Sequence, residues 1–124
     1  MFVKYNSNPK KSRVGDCVVR AISTALGKDW NDVYVELADL GLEMGDMPSS
    51  NHVWGTYLYR RGFDAHLIPN FCPDCYTVRE FAMEHPHGTY ILGTGTHAVA
   101  VVDGGYIDAW DSGNEVPIYY FSRR

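Results

Sequence analysis

The sequence predicts an α+β fold, with helices in the first two-thirds of the chain and strands in the last third. Before residue 62, apolar residues recur at i, i+3, i+4 spacing. After residue 88, β-branched and aromatic runs are separated by glycines. Length and composition point the same way. A chain of 124 residues with 45% apolar and 21% charged residues is ordinary globular material for one domain spanning 1–124.

Asn6-Ser7-Asn8-Pro9 is a loop by its turn residues. Val18, Ala21, Ile22, Ala25 and Leu26 then form the buried stripe of a helix that Gly27 closes, with Asp16 placed to cap it and Cys17 in its first turn. A second helix is expected over 31–40, with Val33, Leu37 and Leu40 inward and Gly41 as terminator. A third runs over 50–61, capped by Ser50 or Asn51 and stopped by Gly62. Residues 63–68 alternate and end at Pro69, as a strand does. Thr77 and Glu80 have capping-box spacing for a short helix to residue 84 or 85. Strands follow at 89–92, 97–102, 106–110 and 116–121. The stretch 98–102 is apolar at every position, which suits a central strand covered on both faces.

The formal charge of −4 and the scattered basic residues argue against a nucleic-acid partner. No segment has signal-peptide form and no apolar run reaches membrane-spanning length, so a cytoplasmic protein of the producing or host cell is expected, with no membrane partner. Three cysteines in such a chain read as thiols.

Cys17 sits where unpaired helix N–H groups and the macrodipole favour a thiolate. Its own amide would be one oxyanion donor, and Asn8 and Ser12 are the other neutral candidates nearby. His97 opens the central strand after the small residues Gly93-Thr94-Gly95-Thr96. Its partner depends on the hairpin at Asp103-Gly104-Gly105. A three-residue loop sets Asp111 opposite His97, whereas a two-residue loop flips the parity and gives His97 the face of Asp108 and Trp110. Asp111 is the favoured orienting carboxylate and Asp108 the alternative.

A cysteine at a helix start, a histidine opening a strand and a carboxylate on the next strand, in that chain order, resemble the papain-like cysteine peptidase superfamily. His97-Ala98-Val99, a hairpin, then Asp111-Ser112 is similar to the family's His-Ala-Val, hairpin, Asn-Ser-Trp pattern, with Asp111 on the asparagine position. Aspartate there is similar to bacteriocin-processing peptidases. The stretches around Gly15-Asp16-Cys17 and Tyr106-Ile107-Asp108 resemble small phage and bacterial members. The Cys-Gly-Ser-Cys-Trp signature and the upstream oxyanion glutamine have no counterpart. The resemblance implies helices packed on a mostly antiparallel sheet. It also implies a cysteine peptidase, or thiol amidase or acyl-hydrolase, with Cys17 as nucleophile, His97 as proton carrier and a peptide or protein substrate. No metal or organic cofactor is implied. The alternative is a catalytically weak binding module on the same fold that acts on a host partner.

Other motifs have blander readings. Cys72-Pro73-Asp74-Cys75 lacks the second ligand pair of a zinc site, unless His52, His66, His85 or His87 are brought to it, and it lacks a thioredoxin-like setting. Arg20 is read as a salt-bridge partner for a carboxylate at the core edge rather than a substrate anchor. Trp30, Trp54 and Trp110 are read as core or cleft wall.

Overall fold

The computed structural model of the chain describes residues 1–70 and 73–124. The elements are β1 (Phe2–Lys4), α1 (Cys17–Leu26), α2 (Trp30–Met44), α3 (Asn51–Arg60), β2 (Phe63–Leu67), α4 (Val78–Glu84), β3 (Thr89–Gly93), β4 (Ala98–Val102), β5 (Gly105–Asp108) and β6 (Tyr119–Arg123). The six strands form one sheet in the order β1-β5-β4-β3-β6-β2, antiparallel except for the parallel β1–β5 edge.

The apolar run of β4 is buried from both sides. Ala98 and Ala100 pack into a core with Ile22, Leu37, Trp54 and Phe121 beneath α1, α2 and α3. Val99 and Val101 point the other way, into a second core with Phe81, Leu92 and Tyr106 beneath α4. A strand with period-2 side chains thus holds two hydrophobic layers at once, which requires that every residue be apolar. Trp54 anchors the larger layer. It is 1% exposed and its indole N–H donates to Asn51 Oδ1 at 3.0 Å. Trp54→Ala is expected to cost about 3–5 kcal/mol of stability, read as a lowered urea midpoint with unchanged slope; an unshifted midpoint would contradict this packing.

Local chemistry explains the helix limits. The Ser50 hydroxyl accepts from His52 N–H to start α3, and Gly62, at φ 89°, follows its end. The capping box of Thr77 and Glu80 starts α4. Two expectations need correction. Gly41 does not end α2, which runs to Met44 and is closed by Gly45 at φ 69°. Gly41 is glycine because a Cβ there would lie 2.8 Å from Asp46 O and 3.2 Å from Pro48 N, so the following loop can fold tightly back. Asp16 precedes α1 but makes no side-chain cap; its carboxylate is engaged elsewhere. The parallel strand β1 has no alternating pattern long enough to be recognised from sequence.

The β4–β5 connection decides the site. Val102 pairs with Gly105, Val101 with Tyr106 and Ala100 with Ile107, so the loop is the two residues Asp103-Gly104. Both have positive φ, 47° and 82°, as a type I′ turn requires. Continued outward, this register gives His97 the parity of Asp108 and not of Asp111.

Candidate active site

The start of β4 and the end of β5 lie at the same end of the sheet, and α1 begins there. Cys17, His97 and Asp108 meet at that point. The Thr94-Gly95-Thr96 turn sets the histidine backbone: Thr94 Oγ1 accepts from His97 N–H at 3.0 Å, and Thr94 N–H donates to His97 O at 2.9 Å. Nε2 of the imidazole is 2.7 Å from Asp108 Oδ2, and the ring also interacts with the Cys17 side chain. Trp110, half exposed, packs against the ring with centroids 4.9 Å apart.

The carboxylate is held from every side. Asp108 Oδ2 also accepts from Ser112 Oγ at 2.7 Å, while Oδ1 accepts from Ala109 N–H at 2.8 Å and lies 3.3 Å from the Arg20 guanidinium. Arg20 in turn pairs with Asp16, whose Oδ2 accepts from Asn8 Nδ2 and Trp30 Nε1, each at 3.1 Å. A chain of ion pairs and hydrogen bonds thereby ties the loop before α1, the first turn of α1 and the end of β5 into one unit. Buried ionic groups are tolerable only when paired and hydrogen-bonded in this way. Arg20 Nε is the one buried side-chain N or O without a hydrogen-bond partner among the described residues.

The surroundings favour the charged forms of both Cys17 and His97. Burial works against charge on Cys17, but the His97 ring, the Ala98 N–H, and the positive charges of His97 and Arg20 overcome it and lower the thiol pKa. Burial likewise opposes charge on His97, yet the hydrogen bonds and negative charges of Asp108 and Cys17 push its pKa up to about 9. Asp108 is also penalised by burial, and the His97 and Ser112 hydrogen bonds lower its pKa in spite of it. Tyr119, packed over Gly93 where a Cβ would fall 2.3 Å from its ring, is pushed up to about 12 by burial and by the nearby Cys17 charge. Its hydroxyl donates to Asn51 Oδ1 at 2.9 Å.

Cys17 is partly exposed between two cavities. The larger, about 1090 Å³, is bounded by the loop before α1 together with His97 and Trp110. The smaller, about 250 Å³, lies toward Asn51, Trp54 and Gly95.

Asp111 is not brought to the site. It is about half exposed, accepts from Tyr106 Oη at 2.7 Å and Gly113 N–H at 3.0 Å, and lies 3.6 Å from Arg79. The two-residue turn is the physical reason. Of the oxyanion candidates, the Cys17 amide stands in the first turn of α1, where N–H groups lack intrahelical acceptors. Asn8 is buried with its amide nitrogen on Asp16, and Ser12 is an exposed cavity-lining residue. The structure adds Asp16, Arg20 and Ser112 to the same site, a grouping the sequence alone does not predict. The i, i+4 spacings of Asp16 with Arg20 and of Asp108 with Ser112 were the available signal.

Among the described residues no three His, Cys, Asp or Glu side chains are placed to hold a metal ion. Cys72 lies outside those residues. Cys75 is disulfide-bonded, which corrects the reading of all three cysteines as thiols: an odd count excludes complete pairing but not a single bond. Cys17 is a free thiol. No helix of the described residues is long and apolar enough to cross a membrane. Against known protein families, curated proteins and solved structures, the chain has no match.

Proposed function

We propose that the protein is a papain-like cysteine peptidase, or a thiol amidase or acyl-hydrolase of the same kind, that works through a Cys17 thioester. One observation carries this reading: the His97 ring bridges Cys17 and a fully hydrogen-bonded Asp108 at the mouth of a cavity. Element order supports the papain-like assignment. A cysteine opens the first helix, a histidine immediately precedes a sheet strand, and the carboxylate ends the next strand.

In the proposed reaction the Cys17 thiolate attacks the substrate carbonyl carbon and the C=O π pair moves to oxygen. The Cys17 N–H at the start of α1 is the oxyanion donor on hand. Collapse of the tetrahedral species expels the amine or alcohol, which takes the proton from His97. Neutral His97 then accepts a proton from water as the hydroxide adds to the thioester. Expulsion of the Cys17 thiolate releases the acid and restores the ion pair. Asp108 holds the ring by Nε2, leaving Nδ1 for the proton.

Both ionisations set the pH profile. Turnover falls on the acid side as the thiolate is protonated, below the ordinary thiol range. It falls on the alkaline side near pH 9 as His97 loses its proton. A bell between these limits in kcat/KM for an activated ester or peptide amide, with an acyl adduct on Cys17 by intact mass, is the expected result. Adduct on no residue, across a panel of acyl donors, would leave a binding module as the better account.

A further inference from the structure

The larger cavity has an unusual charge balance. Its titratable lining residues are Lys4, Lys11, Arg13 and Arg20, together with Tyr5, Cys17 and His97; among the described residues no Asp or Glu lines it. This occurs in a chain whose formal net charge is −4. Arg20 is answered by Asp16 and Asp108, and His97 by Asp108. Lys4, Lys11 and Arg13 are exposed and take part in no salt bridge among the described residues. Lys11 Nζ donates to the neutral Asn6 carbonyl at 2.5 Å and lies over the Tyr5 ring, contacts that hold the charge at the rim without cancelling it.

We infer that this cavity selects acidic acyl substrates, peptides with Asp or Glu side chains close to the scissile bond, which Lys4, Lys11 and Arg13 recognise. The inference rests on the proposed reading of Cys17 as nucleophile. Three like charges around a concave, partly apolar wall focus the field onto the cleft, and their effect is strongest within a Debye length of about 8 Å. Half-exposed Trp110 and Tyr5 supply the apolar wall against which a peptide backbone lies. A peptide fits better than a nucleic acid because the cavity contains a thiol nucleophile, for which a peptide supplies the acyl carbon.

The test separates binding from turnover. A fluorescein-labelled Glu-rich octapeptide and its Gln counterpart are titrated by anisotropy into Cys17→Ala protein, and both are offered to the wild type as amide substrates. The Glu peptide is expected to bind at least about tenfold more tightly. That margin should shrink as salt rises from about 50 mM to about 500 mM. It should also vanish in Lys4→Gln/Lys11→Gln/Arg13→Gln protein whose circular dichroism is unchanged. Equal affinity for the two peptides, binding of neither, or tighter binding of an oligonucleotide of equal charge would each overturn the inference. Acid-selective binding without any turnover would instead sink the enzymatic reading and leave this charge assignment standing.

Discussion

Cys17→Ala is expected to abolish acyl transfer, lowering kcat by about a millionfold, the scale on which hydrolases lose activity with their nucleophile. Among the described residues at the cleft, only this sulfur combines partial exposure and a lowered pKa with an adjacent base. Cys17→Ser should be nearly as inactive, because a hydroxyl does not form a stable ion pair with the imidazolium. Both variants should fold, since the side chain only borders the core. Turnover of the alanine variant within about tenfold of wild type would mean that the chemistry lies elsewhere.

Asp108→Ala is expected to lower kcat/KM by about a thousandfold or more, by analogy with orienting carboxylates in serine triads. The loss has two sources. His97 loses the acceptor that fixes its Nε2 and the negative charge that raises its pKa, so the alkaline limb of any residual activity should move down in pH. Arg20, Ser112 and the Ala109 N–H also lose their shared acceptor, which destabilises the fold, and unfolding must be measured alongside. Asp108→Asn retains an acceptor oxygen without the charge and separates the two: its activity should exceed that of the alanine variant, while its alkaline limb still shifts. Asp111→Ala, on the exposed loop, should change activity by less than about twofold. A larger loss from Asp111→Ala than from Asp108→Ala would contradict the assignment of roles.

Much of this architecture was legible because local and tertiary preferences agree. The stripe of Val18, Ala21, Ile22 and Ala25 predicted α1 and its buried face. The unbroken apolar run of 98–102 predicted a strand covered on two sides, and Thr77 with Glu80 predicted the α4 cap. Where the reading failed, a contact remote in sequence had taken over a residue's usual role. Gly41 suggested a helix stop, but the return of Asp46 and Pro48 against it demands a missing side chain in mid-helix. Asp16 had the position of a cap, but Arg20, Asn8 and Trp30 claim its oxygens. The hairpin is the instructive case. Asp103-Gly104-Gly105 is compatible with a two- or three-residue turn, and one residue of register exchanges Asp111 for Asp108 beside the histidine. Cys17 and His97 escape that ambiguity because Cys17 opens α1 and His97 immediately precedes β4, positions that do not depend on the turn.

The most direct measurement is the rate of iodoacetamide alkylation of Cys17 as a function of pH, followed by peptide mass mapping in wild-type and His97→Ala protein. Wild-type Cys17 is predicted to react with a midpoint well below the ordinary thiol value of about 8.5, and His97→Ala to move that midpoint upward. A wild-type midpoint at or above the ordinary value, unmoved by removing the imidazole, would contradict the ion pair on which the account is built.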